Sequence, residues 1–225
     1  MNKIIVITGP TSVGKTALSI AVAKKYDGEI INADSMQFYK GLNIGTAKIK
    51  EEEKEGIPHH LFDINEVDDE YSIYHYQKDA RIIIEDIQKR HKTPILVGGT
   101  GLYLKAALYD YQLSKETQNS KFEEYTNEEL YKLLTKIDQN AKVDPNNRRR
   151  LIRALSYYQE NNKSISQNKT DKLLYDTIFI GLTCDRNILY DRINQRVDIM
   201  VKEGLIDEVR KFYDQKIYTK PLING

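Results

Sequence analysis

The sequence is poor in cysteine and has only one, Cys184, among its 225 residues. One cysteine excludes an internal disulfide, which is usual for proteins of a reducing cytoplasm. Long apolar runs are also absent, since none approaches the roughly 20 residues that a membrane-spanning helix needs. No signal peptide is visible, because the first apolar run leads directly into a glycine-rich motif. We therefore expect a cytoplasmic protein that does not enter a membrane.

The sequence also has no large excess of positive or negative charge. The 34 lysines and arginines balance 33 aspartates and glutamates, which leaves a formal net charge of +1. Any binding to nucleic acid must therefore rely on a local group of basic residues. With 40% hydrophobic and 30% charged residues, the composition is typical of a globular protein with one core, or with a core and an additional lobe.

The clearest motif present is GPTSVGKT at residues 9–16, directly after the apolar run at residues 4–7. It fits G-x-x-x-x-G-K-[ST], the phosphate-binding loop between a strand and a helix. Its glycines allow a tight turn whose N–H groups face anionic oxygens, its lysine adds a full charge, and its threonine offers a hydroxyl to phosphate-bound Mg²⁺. The predicted diphosphate-binding residues are Gly9, Pro10, Thr11, Ser12, Val13, Gly14, Lys15 and Thr16.

Strand and helix patterns alternate along most of the chain, which predicts an α/β fold with a parallel sheet. We expect a P-loop NTPase-like sheet flanked by helices. Predicted strands are 4–8, 29–32, 94–97 and 175–183, and predicted helices are 15–25, 72–90, 101–108, 186–202 and 205–213.

Residues 111–171 interrupt this alternation, because they lack strand patterns and are rich in polar residues and tyrosine. Helices are predicted at 127–137 and 146–158. We expect a small helical lobe inserted into a core made of residues 1–110 and 172–225. Arg149, Arg150 and Arg153 share one face of the second helix, either as an ordinary solvated surface or as contacts to phosphates of a nucleic acid.

The reaction at the phosphate site is less clear, because the strand at 94–97 ends in Gly98-Gly99-Thr100-Gly101. Many NTPases and kinases place a Mg²⁺-binding acid at such a position, so its absence disfavours ATP hydrolysis and leaves an ATP-dependent small-molecule kinase as an alternative. Asp34 follows the second strand and belongs to the same sheet edge. It would accept a proton from a nucleophile, or it would simply cap a helix.

Five motifs in chain order resemble those of bacterial-type tRNA dimethylallyltransferases, also called tRNA isopentenyltransferases. They are GPTSVGKT at 9–16, DSMQFYKGLNIGTAK at 34–48, PHHLFDI at 58–64, VGGTGLYLKAAL at 97–108 and DPNNRRRLIRAL at 144–155. The resemblance implies transfer of a dimethylallyl group from dimethylallyl diphosphate to N6 of the adenosine next to the anticodon on its 3′ side. It also implies Mg²⁺ as cofactor, the tRNA anticodon stem-loop as partner, and a monomer.

The resemblance also implies roles for individual residues. Asp34 is the implied general base, Thr100 contacts the bridging region of the diphosphate, and Arg196, with Arg192 assisting, neutralises the leaving group. Lys15 completes the catalytic set, and Thr16 is the implied metal ligand. The implied tRNA-binding residues are Asp34, Ser35, Met36, Gln37, Arg149, Arg150, Leu151, Ile152 and Arg153.

Two further alternatives share parts of this pattern. An adenylate isopentenyltransferase performs the same chemistry on a free nucleotide, which needs no inserted basic lobe. A non-catalytic RNA-binding module would not need the intact set of Lys15, Thr16, Asp34 and Thr100. Family members usually continue beyond the position of Gly225, so we expect a C-terminally short chain that binds the diphosphate substrate but has weakened tRNA binding.

Overall fold

The computed structural model describes residues 3–99, 101–111, 113, 122, 124–164 and 169–224. Its strands are β1 (Ile4–Thr8), β2 (Gly28–Asn32), β3 (His59–His60), β4 (Thr93–Gly98), β5 (Tyr109–Tyr111), β6 (Lys169–Leu173) and β7 (Thr177–Gly181). Its α-helices are α1 (Lys15–Lys25), α2 (Ile73–Lys89), α3 (Gly101–Leu108), α4 (Asn127–Ile137), α5 (Arg148–Asn161), α6 (Arg186–Glu203), α7 (Leu205–Asp214) and α8 (Lys220–Asn224).

The main sheet has the strand order β3-β2-β4-β1-β7, and all of its pairings are parallel. This confirms the predicted P-loop NTPase-like α/β fold. The two-residue strand β3 was not predicted, and β7 is shorter than the predicted strand. Since β1 lies between β4 and β7, the loop that follows β1 emerges in the middle of the sheet edge where ligands of open α/β sheets bind.

The sheet is buried on both faces at its centre. Ile5, Ile7 and Ile30 form a cluster with Ile20 and Ala23 of α1. The alternate residues point to the other face and are equally buried, with α2 and α3 packed against β4. Apolar side chains on both faces explain why β1 and β4 appear as uninterrupted apolar runs in the sequence.

The chain divides into two compact units, Met1–Leu108 with Leu173–Gly225, and Tyr109–Lys172. Within the second unit, α4 and α5 pack through a separate apolar cluster that includes Leu130, Leu134, Leu151 and Leu155. The expectation that this region lacks strands was wrong, because β5 and β6 form a two-stranded sheet. Both strands are short and polar, so no apolar alternation revealed them.

No helix among the described residues is both long enough and apolar enough to cross a lipid bilayer.

Candidate active site

The phosphate-binding loop has the predicted arrangement of strand, turn and helix. Gly14 adopts φ = 102°, a left-handed conformation that favours glycine, and α1 begins at the next residue. The Lys15 ammonium folds back over the loop, where Nζ donates to the carbonyls of Gly9 at 3.0 Å and Pro10 at 2.7 Å. The first-turn N–H groups of α1 and the lysine charge therefore face the same space.

A cavity of about 480 Å³ opens beside this loop. It is lined by residues from five separate parts of the chain: Thr11, Ser12, Gly14, Lys15, Thr16 and Ala17; Asp34 and Gln37; Thr46 and Ala47; Val97 and Gly98; and Arg192, Gln195, Arg196 and Ile199. Its volume lies in the range of small-molecule sites. Basic and hydroxyl side chains stand beside a few aliphatic ones, a combination that suits an anion carrying a short apolar group.

Asp34 lines this cavity because hydrogen bonds hold its backbone at the end of β2. Its N–H donates to Oδ1 of Asn32 at 2.8 Å, and Nδ2 of Asn32 donates to the carbonyls of Asp34 and Leu61. One carboxylate oxygen, Oδ1, accepts from the Met36 N–H at 3.1 Å and caps a 3₁₀ helix over Ser35–Phe38. The two interpretations of Asp34 are therefore compatible, since a capping residue also lines the cavity.

The absence of an acid at the last residue of β4 has a steric explanation. A Cβ added to Gly98 would lie 2.4 Å from the carbonyl oxygen of Ala33 and 2.8 Å from its Cβ. No side chain fits this close approach of β4 to the end of β2. The same approach brings the residue after Ala33, Asp34, to the phosphate loop, so the carboxylate of this site comes from β2 instead of β4.

Arg196 reaches the loop from α6, far along the chain. Its Nη1 donates to Thr11 Oγ1 at 3.2 Å and contacts Ser12 Oγ at 3.5 Å. Arg192 and Ile199 lie one turn before and after it on the helix and also line the cavity. The structure thus places both arginines named by the resemblance beside the phosphate loop.

The charges in the cavity are desolvated and mutually coupled. Burial lowers the pKa of Lys15, nearby Asp34 raises that pKa, and Arg196 lowers it. Burial likewise lowers the pKa of Arg196, again opposed by Asp34. Two partly buried cations beside one carboxylate leave an excess positive charge, and a bound anion would relieve the repulsion between the cations.

Other predicted residues are placed differently. Thr100 lies outside the described residues. The residues predicted beside the cavity that do not line it are Gly9, Pro10, Val13, Ser35 and Met36. In α5, Arg149 and Arg150 are exposed and Arg153 is half-buried. Leu151 is fully buried in the core of its unit and Ile152 packs against that core, so the side chain of Leu151 is not exposed to a partner. The contacts of Leu151 and Ile152 with tRNA stay predictions.

Several cavity residues were missed, notably Thr46, Ala47, Gln195 and Ile199. Thr46 and Ala47 belong to the segment NIGTAK at residues 43–48. Both side chains are small, and neither indicated a chemical role in the sequence. Gln195 and Ile199 share the helical face of Arg192 and Arg196, and i, i+3 and i, i+4 spacing from these arginines would have indicated them.

The residues present suit a metal ion held mainly by a substrate. No group of three or more His, Cys, Asp or Glu side chains able to hold a metal occurs in the described part of the chain. His60 instead contacts Glu29, and His59 contacts the Ile57 carbonyl. The Thr16 hydroxyl in the cavity fits Mg²⁺, which commonly keeps water and phosphate oxygens as most of its ligands.

The chain is similar in sequence to several known proteins. The family model described as IPP transferase matches residues 37–225. A tRNA dimethylallyltransferase of Anoxybacillus flavithermus is 50% identical over 223 residues, covering 95% of this chain and 72% of the relative. The protein of the same name from Geobacillus thermodenitrificans is 50% identical over 227 residues, with the same coverage of 95% and 72%.

Solved structures agree with this result. The tRNA delta(2)-isopentenylpyrophosphate transferase of Staphylococcus epidermidis is 42% identical with a TM-score of 0.70, covering 99% of this chain and 77% of that one. A eukaryotic dimethylallyltransferase acting on tRNA is 36% identical with a TM-score of 0.88, covering 96% of this chain and 56% of that one.

Proposed function

Because the chain belongs to the IPP transferase family, we propose that it transfers a dimethylallyl group from dimethylallyl diphosphate to N6 of the adenosine next to the anticodon on its 3′ side. The observation that carries this proposal is the cavity in which Asp34 faces a phosphate loop supplemented by Arg196. Displacement of diphosphate by a weak nucleophile requires positive charges around the diphosphate and a carboxylate that accepts a proton.

The chemistry assigns different tasks to the two sides of the cavity. The exocyclic amine of adenine is a poor nucleophile because its lone pair is delocalised into the ring. The allylic carbon is a good electrophile because positive charge spreads over three carbons. The enzyme must therefore align the amine with that carbon and remove a proton as the bond forms.

In the proposed step, N6 of adenine attacks C1 of the dimethylallyl group and the bond between C1 and the diphosphate oxygen breaks. The N6 proton passes to the carboxylate of Asp34. Lys15, Arg196 and the N–H groups at the start of α1 stabilise the charge on the departing diphosphate. We assign Thr100 to the bridging region of the diphosphate and Arg192 to its outer oxygens.

The nucleotide substrate must reach this cavity with its target base exposed. A base within a stacked anticodon loop is inaccessible, so we propose that the adenosine is extruded from the loop. Asp34 and Gln37 would meet it, and Arg149, Arg150 and Arg153 would contact phosphates of the anticodon stem. We propose that the chain acts as a monomer in the cytoplasm.

Mg²⁺ is the metal we propose for this site. Diphosphate oxygens, water and the Thr16 hydroxyl would hold it. When bound, it would supply positive charge to the departing diphosphate.

One experiment tests the assignment. The protein is incubated with dimethylallyl diphosphate, Mg²⁺ and either a tRNA anticodon stem-loop or AMP, and the masses of the products are measured by mass spectrometry. We expect the stem-loop, but not AMP, to gain the mass of a dimethylallyl group. Product on AMP alone would overturn the tRNA assignment in favour of an adenylate isopentenyltransferase. ATP turnover without prenyl transfer would indicate a kinase.

A further inference from the structure

Glu208 makes three hydrogen bonds to a distant segment of the chain and lies outside the cavity lining. It lies in the first turn of α7 and is nearly buried, with 9% of its surface exposed. Its carboxylate accepts hydrogen bonds from three consecutive backbone N–H groups: Oε2 from Asn43 at 2.9 Å and Ile44 at 2.8 Å, and Oε1 from Gly45 at 3.0 Å. Consecutive N–H groups that converge in this way form an anion-binding nest.

The helix α7 packs closely against this segment at Gly45. A Cβ there would lie 3.1 Å from Cδ1 of Leu205 and 3.7 Å from Oε1 of Glu208. The Thr46 hydroxyl donates to the Leu42 carbonyl at 2.6 Å and closes the turn. We refer to residues 43–47 as the 43–47 loop. Its first three residues bind Glu208, and its last two line the cavity.

The 43–47 loop in turn fixes the orientation of one cavity side chain. Nε2 of Gln37 donates to the carbonyl of Thr46 at 2.9 Å and contacts that of Ala47 at 3.5 Å. Carbonyl oxygens only accept hydrogen bonds, so the NH₂ of the Gln37 amide must face the loop. The amide oxygen is thereby directed away from it, as an acceptor suited to an amino group of a nucleobase.

We propose that Glu208 is a positioning residue for the acceptor nucleotide, which it serves by holding the 43–47 loop so that the loop carbonyls orient the Gln37 amide. This inference rests on the proposed transfer to an adenosine. It assigns to α7 a role on the nucleotide side of the cavity, distinct from the contact of α6 with the phosphate loop through Arg196. Charge-assisted hydrogen bonds to a buried carboxylate are strong enough to define a single loop conformation.

The decisive measurement is a double-mutant cycle between Glu208→Gln and Gln37→Ala. An amide in place of the carboxylate keeps the size of the side chain but directs an NH₂ group at N–H donors. We expect Glu208→Gln to lower kcat/KM for the anticodon stem-loop about tenfold. In a Gln37→Ala background it should lower kcat/KM less than about twofold further, because the two residues act through one contact. Binding of inorganic diphosphate should stay within about twofold of wild type.

A matched control is available on the preceding helix. Glu203 forms an exposed ion pair with Lys50 at 2.9 Å, and Glu203→Gln should leave kcat/KM unchanged. An equal loss from Glu208→Gln with or without Gln37 would overturn the inference, and so would a matching loss of diphosphate binding. If Glu208→Gln does not fold, Glu208→Asp, which keeps the charge but shortens the side chain, tests the same contact with the same expected pattern. An inactive wild type would instead contradict the proposed function itself.

Discussion

At the scale of single residues, one substitution can separate the capping role of Asp34 from its proposed role as general base. Asparagine still accepts the Met36 N–H and preserves the cap, but it cannot take a proton. We expect Asp34→Asn to reduce the rate of prenyl transfer by about 10²- to 10⁴-fold, the usual contribution of a general base. The measurement is single-turnover transfer to a stem-loop.

Diphosphate binding supplies the contrast for this prediction. Asp34→Asn removes a negative charge beside Lys15 and Arg196, so affinity for inorganic diphosphate should be equal to or higher than that of wild type by calorimetry. Glu66→Gln, which removes a carboxylate from an exposed pair with Lys40, should leave both properties unchanged. Wild-type transfer by Asp34→Asn would exclude the general-base role.

Arg196 should act on the leaving group through direct charge-assisted hydrogen bonds. We expect Arg196→Ala to weaken binding of inorganic diphosphate roughly 10- to 100-fold, as is typical when a hydrogen bond to a charged group is lost. Titration calorimetry measures this directly. The control is Arg186→Ala, at the exposed start of the same helix. Equal affinities for the two variants would contradict the assignment.

At the scale of elements, the contact between β4 and the end of β2 determines where the carboxylate stands. Gly98→Ala would force its Cβ against the backbone of Ala33, which cannot move without separating the strands. We expect a loss of about 1–3 kcal/mol in the free energy of unfolding, the usual cost of overpacking, together with reduced transfer. Urea denaturation measures the first.

Gly181→Ala is the matched control for that prediction. Gly181 is the last residue of β7, and a Cβ added there meets nothing within 4 Å. Its unfolding midpoint should stay close to wild type. An equal loss in both variants would show that the contact with Ala33 does not determine the effect, because the lower entropy of the unfolded chain favours folding in both.

An ion cluster around the buried carboxylate of Glu29 joins β2, β3 and the end of α2, and its partners Arg90 and His60 are partly exposed. Hydrogen bonds from Arg90 lower the pKa of Glu29 to about 2, burial opposes this shift, and a hydrogen bond with His60 adds to it. Because the folded-state pKa is below its ordinary value of 4.5, the stabilisation is present above that pH and is lost as pH falls towards 2.

This pH dependence can be read from thermal unfolding of wild type and Glu29→Gln. The wild type should have the higher midpoint at neutral pH, and the difference should shrink between about pH 4.5 and pH 2. Glu66→Gln, in an exposed ion pair, should differ little from wild type at any pH. A difference in midpoint between wild type and Glu29→Gln that stays constant down to pH 2 would contradict the stabilising role of the cluster.

The elements also show how far the sequence could predict this molecule. Apolar runs and helical spacing located β1, β4 and α2, because their patterns are local. The strand β3 has only two residues, and β5 and β6 are polar, so neither length nor alternation indicated them. The contact between Glu208 and the 43–47 loop spans more than 160 residues, and no local pattern carries such information. The phosphate loop and Asp34 could be predicted from the sequence because motifs and strand ends are local features.

At the scale of the whole molecule, charge balance makes tRNA binding a local property. A formal net charge of +1 gives little general attraction to a polyanion, so we expect affinity to depend on local basic groups, and Arg149 and Arg150 on α5 are the predicted group. Both are exposed at the start of that helix. Each phosphate contact releases counterions, which makes the logarithm of affinity fall with the logarithm of salt concentration.

Replacing both arginines by alanine should therefore weaken stem-loop binding and lower the magnitude of its salt slope by about 2, one for each phosphate contact. Binding of inorganic diphosphate, which we propose for the phosphate loop of the other unit, should be unaffected. The control removes the same charge from α4 through Lys132→Ala with Lys136→Ala, both exposed. Binding isotherms at several salt concentrations compare the variants. Equal slopes for the α5 and α4 variants would mean that net charge, rather than the α5 arginines, governs attraction to tRNA.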